Sequence, residues 1–221
     1  MQVLIQSYRR LKYLKRTVES IRQDDVEVLV VDGGSDMAMV KYIKQVADRY
    51  LLFKDNPGAD FLKNEGIKQL VTEDAFVLSA DDIEYPKGYS MTMLDQFKKL
   101  NSGGSKFAFC SANMAAVESQ KLPWKRVNGV EIYLVTGPQS ASAMVSKNAL
   151  MEVGLYPEYG KYGAGDWAMG RMLLRKRYCC CYTRAPIVVH LGINNYVDYP
   201  EFQKAAEIDI ALNYKKAIGH G

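Results

Sequence analysis

Residues 75–82 read Ala-Phe-Val-Leu-Ser-Ala-Asp-Asp, an apolar run that ends in two adjacent carboxylates. A segment as apolar as Ala75 to Leu78 is typical of a strand in a parallel sheet that helices cover on both faces. The run from Val26 to Val31 has the same character, since Glu27 is its one polar residue. The two runs predict buried strands of an α/β protein.

Strands and helices are predicted to alternate through the first half of the chain. The strands begin near Gln2, Val26, Tyr50 and Ala75, about 25 residues apart, which is the spacing of βαβ units. After the first strand, apolar residues recur three or four positions apart, at Leu11, Leu14, Val18 and Ile21. Basic residues take the other faces of this helix: Arg9, Arg10, Lys15, Arg16 and Arg22. The apolar face should therefore cover the sheet.

The pattern changes after a helix predicted at Tyr89 to Leu100 and a strand predicted at Lys106 to Ser111. Residues 113–131 show no clear period. Short strands are expected near Glu131 to Val135, Ser140 to Val145, Cys179 to Tyr182 and Ile187 to His190, with helices from Ser146, from Asp166 to Lys176 and from Pro200 onward. We predict a mixed second half within one domain, because 221 residues with 48% apolar side chains suffice for one substantial core.

Charge and composition argue against several classes of protein. The 29 basic and 25 acidic residues form no block of like charges, so no nucleic-acid partner is expected. The chain has neither a secretory signal nor an apolar run long enough to span a membrane, and we expect no transmembrane segment. Its four cysteines, Cys110 and the consecutive Cys179, Cys180 and Cys181, make a poor disulfide framework. Reduced thiols and a cytoplasmic location are therefore predicted.

Polar clusters follow three of the predicted strands. Open parallel sheets bind ligands outside the carboxyl ends of their strands, so these clusters should line one rim. They are Gln6-Ser7-Tyr8-Arg9, Asp32-Gly33-Gly34-Ser35-Asp36 and Ser79-Ala80-Asp81-Asp82. Tyr8 offers an aromatic face to a base and Asp32 an acceptor for an imide or ribose, although a helix cap and a glycine turn also explain the second cluster. That cluster fits neither the dinucleotide-binding nor the P-loop pattern.

The adjacent carboxylates of Asp81 and Asp82 repel each other unless a cation or a set of donors offsets their charge. A divalent metal shared with substrate phosphates is the economical interpretation, and Mg²⁺ or Mn²⁺ usually serves in this way. The alternative is that one of the two aspartates caps a helix ahead of Pro86.

With these segments the chain resembles glycosyltransferase family 2, whose members have the GT-A nucleotide-diphospho-sugar transferase fold. Residues 3–9 and 28–36 look like the family's first two strands with their turns, and residues 76–82 look like its Asp-x-Asp segment. Lys63-Asn64-Glu65-Gly66 is similar to the Arg-Asn-x-Gly stretch. Downstream, residues 136–145 and 153–158 resemble the acceptor-side strand, helix and turn, and residues 163–167 resemble the Glu-Asp-Trp motif.

The resemblance implies a fold, an activity and a division of the chain. The fold would be an α/β GT-A fold with a mainly parallel central sheet, helices on both faces and a mixed C-terminal half. Residues 1–112 would form the nucleotide-binding half of a single domain, 1–221, and residues 113–221 the acceptor-binding half. The activity would be metal-dependent transfer of a sugar, with inversion, from a UDP-sugar to an acceptor hydroxyl of a saccharide or glycan. Further domains of a longer chain are left open.

The resemblance also assigns residues to roles. Those implied to bind the donor are Gln6, Ser7, Tyr8, Asp32, Lys63, Ser79, Ala80 and Asp81. Asp81 and His190 would hold the metal, and Mn²⁺ is favoured over Mg²⁺ because imidazole is a poor ligand for magnesium. A strand-end histidine bonded to the backbone is an equally good interpretation of His190. Asp166, at the start of a helix, would be the catalytic base that takes the acceptor proton.

Two departures from the family pattern keep another class of function open. Ser79 stands where Asp-x-Asp has its first acid, and Ala164 or Gly165 stands where Glu-Asp has its glutamate. A non-catalytic module that binds a nucleotide-sugar or saccharide is therefore the alternative. A nucleotidyltransferase would need a Gly-rich phosphate loop near the amino terminus, which the stretch from Gln6 to Arg10 does not provide.

Overall fold

Ten strands form one mixed sheet in the structure, a computed structural model that describes residues 1–114, 123–158 and 165–192. The strands are β1 (Gln2–Ser7), β2 (Glu27–Asp32), β3 (Arg49–Leu52), β4 (Ala75–Ala80), β5 (Ile83–Glu84), β6 (Phe107–Met114), β7 (Lys125–Val127), β8 (Val130–Val135), β9 (Ser142–Ser146) and β10 (Cys179–His190). The helices of these ranges are α1 (Leu11–Ile21), α2 (Met37–Val46), α3 (Ala59–Gln69), α4 (Tyr89–Asn101), α5 (Lys147–Glu152) and α6 (Gly165–Arg175). The strand and helix alternation predicted for the first half is confirmed.

The strand order of the sheet is β3-β2-β1-β4-β9-β6-β10-β8-β7, and β5 pairs with β10. The first four strands of the chain, β1 to β4, lie side by side and parallel. β9 is antiparallel to both of its neighbours, β4 and β6, and β8 and β7 add two more antiparallel pairings. The predicted α/β class, with a parallel first half and a mixed second half, is confirmed.

Helices cover both faces of the sheet. Alternate residues of a strand point to opposite faces, and in β1 the side chains of Val3 and Ile5 belong to one core cluster whereas Leu4 belongs to the other. The first cluster includes α1 through Leu14, Val18 and Ile21, as the helical period predicts. The second includes α3 through Leu62 and Ile67.

Gly66 allows α3 to pack closely against the sheet. A Cβ at this position would lie 2.8 Å from Cδ1 of Leu4, whose side chain is fully buried. Protein interiors are packed too densely for Leu4 to move aside at no cost. The glycine of the Lys63-Asn64-Glu65-Gly66 stretch therefore has a packing role.

Some details of the strands differ from the sequence prediction. The strands expected near Cys179 to Tyr182 and Ile187 to His190 are one strand, β10, whose pairing with β6 is irregular between Thr183 and Ile187. Pro186 lies in this gap and has no N–H group to donate to the ladder. The two-residue β5 directly after Asp82 was not predicted.

Some predictions fall outside the described residues. These include the helix expected from Pro200 onward and residues 163 and 164 of the segment that resembles the Glu-Asp-Trp motif. Within the described ranges, no helix is both long enough and apolar enough to cross a membrane.

The strand register brings the candidate residues to one edge of the sheet. Ser7 pairs with Asp32 and Gln6 pairs with Ala80, so the carboxyl ends of β1, β2 and β4 coincide. Because β9 is antiparallel to β4, the segment that leads into β9 reaches the same edge. There the Ala80 N–H donates to the Ala141 carbonyl at 2.9 Å.

Candidate active site

Asp32 holds the turn that follows β2. Its side chain is fully buried, and Oδ1 accepts hydrogen bonds from the backbone N–H groups of Gly34 at 3.1 Å and Ser35 at 2.8 Å. Oδ2 accepts from the hydroxyls of Ser7 at 2.9 Å and Ser35 at 2.6 Å. The helix cap is supplied by Asp36, which accepts from the Met39 N–H at 2.9 Å. With four donors on its carboxylate, Asp32 acts here as the anchor of a turn that also fixes Ser7.

Tyr8 lies between the turn and the aspartate pair. Its backbone N–H donates to Oδ2 of Asp81 at 3.2 Å, and the guanidinium of Arg9 lies 4.9 Å from the centre of its ring. Gln6 and Tyr8 are both half-buried at this edge. Tyr8 is therefore placed at the rim as predicted, with a cation stacked on its ring.

Ser79 and Ala80 form the end of β4. The Ser79 hydroxyl donates to the Ala80 carbonyl at 2.7 Å and accepts from the hydroxyl of Tyr85 at 2.6 Å. Ser79 is 1% exposed, whereas Ala80 is half-buried. Ser79 stands where the Asp-x-Asp motif has its first acid, and its hydroxyl makes hydrogen bonds within the protein.

Arg10 binds both aspartates that follow β4. Its Nη2 donates to Oδ1 of Asp81, and its Nη1 donates to Oδ2 of Asp82 at 2.7 Å. The side chain of Asp81 is 0% exposed and that of Asp82 is 3% exposed, against 28% for Arg10. A planar guanidinium suits such a two-pronged contact. The sequence predicted a metal ion as the counter-charge of these two aspartates. In the structure an arginine provides that positive charge.

The two carboxyl groups have opposite pKa shifts. Burial raises the pKa of Asp81 to about 7, against the lowering effect of Arg10. Burial also opposes ionisation of Asp82, but the hydrogen bond from His190 and the charge of Arg10 outweigh it and lower the pKa of Asp82. Neither aspartate caps a helix, since β5 follows directly and Gly88 precedes α4.

His190 contacts the second aspartate. Its Nε2 lies 3.2 Å from Oδ2 of Asp82, and its backbone pairs with Ile83 of β5. The sequence left open a backbone hydrogen bond for this histidine, and the structure shows a carboxylate partner instead. β5 and the end of β10 therefore bring His190 to the same edge.

The donor groups present do not fit a divalent cation as they are arranged. Both oxygens of Asp81 accept hydrogen bonds from protein donors, and Oδ2 of Asp82 is shared by Arg10 and His190. In the part of the chain that the structure describes, no group of three His, Cys, Asp or Glu side chains could hold a metal ion. A cation at Asp81 would first require the guanidinium of Arg10 to move away.

Asp166 lies in the first turn of α6, at the entrance to β9. Its Oδ2 accepts from the Ser140 N–H at 3.0 Å, and its Oδ1 lies 3.2 Å from Nζ of Lys63. Its side chain is 34% exposed, so the carboxylate can still reach a ligand. The first turn of a helix is a favourable place for a negative charge.

Lys63 bridges α3 and α6. Its Nζ lies 3.3 Å from Oδ1 of Asp60 and 3.2 Å from Oδ1 of Asp166, and 4.5 Å from the centre of the Tyr156 ring. Burial lowers the pKa of this amine, but the two carboxylates outweigh burial and raise it. Lys63 is therefore charged, 11% exposed and bound to the predicted base.

A short path of hydrogen bonds and chain neighbours joins the two groups of residues. Asp166 binds the N–H of Ser140, the neighbouring Ala141 accepts from Ala80, and Ala80 precedes Asp81. The aspartate pair and Asp166 therefore occupy one edge of the sheet, as the sequence predicted.

Sequence reasoning missed two residues of this edge, Arg10 and Asp60. Arg10 was assigned to an outer face of the first helix, but α1 begins at Leu11, and Arg10 precedes it with its side chain on the aspartate pair. The one available signal was the unexplained repulsion of Asp81 and Asp82. Nothing in the local sequence pointed to Asp60.

Comparisons with known proteins agree with this architecture. The sequence profile of Glycosyl transferase family 2 matches residues 2–159, a range that ends before Asp166 and His190. The crystal structure of TarS from S. aureus is similar with a TM-score of 0.61 and 15% identity, over 85% of this chain and 36% of TarS. The crystal structure of GalNAc-T7 with UDP, GalNAc and Mn²⁺ is similar with a TM-score of 0.67 and 12% identity, over 86% of this chain and 43% of GalNAc-T7.

The chain spans less than half the length of each of these two proteins. No curated protein sequence matches it. Because the family profile covers more than half of the 221 residues and both similar structures are GT-A glycosyltransferases, the protein belongs to glycosyl transferase family 2 and has a GT-A fold.

Proposed function

We propose that the protein transfers a sugar from a UDP-sugar to an acceptor hydroxyl. The observation that supports this best is the meeting of Asp166 with the Arg10–Asp81–Asp82 group at one sheet edge, through Ser140, Ala141 and Ala80. In open α/β sheets this edge is where ligands bind. The proposal divides the domain at about residue 112, with the donor on the first half and the acceptor on the second.

The reaction needs a base for the acceptor hydroxyl and positive charge for the leaving diphosphate. Asp166 is the proposed base, held by Ser140 and Lys63 with about a third of its side chain accessible. Its carboxylate would take the proton as the hydroxyl oxygen attacks the anomeric carbon and the bond to the diphosphate breaks. Attack opposite the leaving group gives inversion.

Donor binding is proposed at the ends of β1, β2 and β4. Tyr8 would contact the base, and the turn anchored by Asp32 would keep Ser7 and Gly34 in place beside it. The Gly34 position has a φ of 89°, and a Cβ there would lie 2.7 Å from the carbonyl oxygen of Lys54, so a side chain is excluded. Uridine as the base rests on the family resemblance and on the UDP named for GalNAc-T7.

The metal requirement stays a prediction. The family resemblance and the Mn²⁺ named for GalNAc-T7 support it, whereas the contacts of Arg10 with Asp81 and Asp82 oppose it. Assays with Mn²⁺ and with a chelator decide between these two. The cytoplasmic location is likewise still a prediction.

The decisive experiment measures UDP binding by calorimetry and UDP release from UDP-glucose, UDP-galactose and UDP-N-acetylglucosamine, each with Mn²⁺ and with chelator. We expect one donor to be hydrolysed slowly, and Asp166→Asn to abolish turnover while UDP binding persists. Asp95→Asn is the matched control, because Asp95 is 59% exposed on α4 and pairs only with Lys99 in the salt bridges of the described chain. UDP binding without turnover of any donor would instead support the non-catalytic module that Ser79 and Gly165 suggest.

A further inference from the structure

Residue 165, directly before Asp166 at the start of α6, is a glycine, and a carboxylate from another helix fills the space that a side chain would take. A Cβ at Gly165 would lie 2.2 Å from Oδ1, 2.3 Å from Cγ and 2.3 Å from Oδ2 of Asp60. Gly165 is helical, so its backbone would accept a side chain. The carboxyl group of Asp60 thus occupies the place that a side chain of residue 165 would take.

We propose that Asp60 supplies the second carboxylate of the acceptor site and acts as a positioning residue, holding Lys63 against Asp166. The inference rests on the proposed function, because Asp166 matters only if the protein transfers a sugar. In the family's Glu-Asp-Trp motif the second carboxylate is a glutamate next to the aspartate. In this protein it would come from Asp60 of α3 instead.

Asp60 lies in an environment that is unusual for a carboxylate whose only role is to stabilise the first turn of a helix. Asp60 is 2% exposed, and its Oδ2 has no hydrogen-bond partner among the residues that the structure describes. An acid in the first turn of α3 would interact well with the helix end while exposed to water. Burial of this oxygen against α6 is costly, and burial accordingly raises the pKa of Asp60. A purely local role does not explain why the group is buried there.

Lys63 provides the link to the reaction. One ammonium group lies within 3.3 Å of Asp60 and 3.2 Å of Asp166, and the ring of Tyr156 lies on it at 4.5 Å. Without Asp60, the ammonium would be held on one side only. If the ammonium shifted, Asp166 would be held firmly only by the Ser140 N–H, and its orientation toward the acceptor would be less well fixed. A small misplacement of a reacting group is enough to slow catalysis by about 100-fold.

The structure offers a carboxylate exchange as the test. Asp60→Asn removes the charge and keeps the shape, and Asp60→Ala empties the space beside Gly165. Gly165→Glu alone should collide with Asp60, whereas Asp60→Ala/Gly165→Glu places the new Cβ in the vacated space and returns a carboxylate to the same region from α6. For each variant, UDP release from the best UDP-sugar gives kcat and KM, and thermal melting shows whether the protein is folded.

We expect Asp60→Asn and Asp60→Ala to lower kcat roughly 10- to 100-fold with little change in the KM for donor. The double variant should recover most of that loss, which a merely structural role of Asp60 would not produce. Wild-type kcat in folded Asp60→Asn, or a double variant no faster than Asp60→Ala, would overturn the inference. A wild-type protein that turns over no UDP-sugar would overturn the proposed function itself.

Discussion

Replacing Arg10 with methionine should destabilise the protein strongly, because it leaves two buried carboxylates without their cation. Asp81 and Asp82 have side chains that are 0% and 3% exposed. Removing one partner of a buried ion pair costs about 3–5 kcal/mol. Arg10 itself is 28% exposed and His190 still contacts Asp82, so we expect the lower end of that range.

The assay is urea and thermal unfolding at pH 8. For a domain of this size, a loss of about 3 kcal/mol lowers Tm by about 10 °C. Arg16→Met is the matched control. Arg16 lies within α1 and, like Arg10, pairs with a carboxylate, Glu84, but the two side chains are 50% and 42% exposed. Exposed pairs contribute about 0–1 kcal/mol.

The loss should shrink as the pH falls. Asp81 has a pKa of about 7 in the folded protein, above its ordinary value of 3.8. Because the pKa is higher in the folded protein, Asp81 stabilises the fold fully at a pH below its ordinary pKa of 3.8. This contribution is lost as the pH rises through about 7. Without Arg10 the ionised form is disfavoured further. An Arg10→Met protein within about 0.5 kcal/mol of wild type at pH 8 would refute this account of the aspartate pair.

Two further predictions concern the metal and the packing of α3. Mn²⁺ alone should leave the Tm of wild type unchanged and raise that of Arg10→Met, because Arg10 covers Asp81 and Asp82 in the wild type and its removal opens this pair to a cation. Equal shifts in both would show that Arg10 does not compete. Gly66→Ala should lower the unfolding free energy by about 1–2 kcal/mol, since the new Cβ meets Leu4 at 2.8 Å. Lys68→Ala on the same helix is its control, and a stability gain at Gly66→Ala would contradict the packing role.

The sequence predicts the first half of the fold well because each signal there is local. Apolar runs such as Ala75 to Leu78 are buried strands, and the period of Leu11, Leu14, Val18 and Ile21 is confirmed by α1. The strand order of the second half could not be predicted in this way. The insertion of β9 between β4 and β6 depends on pairings between distant segments, which no local pattern encodes.

The same distinction separates the site residues that could be predicted from those that could not. Tyr8, Asp32 and Asp81 each lie at or just after the end of a parallel strand. Parallel strands end at a common edge, so position along the chain already places these residues together. Arg10 and Asp60 lie at the starts of helices instead, where the direction of a long or buried side chain depends on what the partner helix and strand present. Asp60 has its place because residue 165 is glycine, a relation between two elements far apart in sequence. Strand ends thus indicate where the candidate site lies, whereas the charge balance at that edge becomes visible only after the helices are packed.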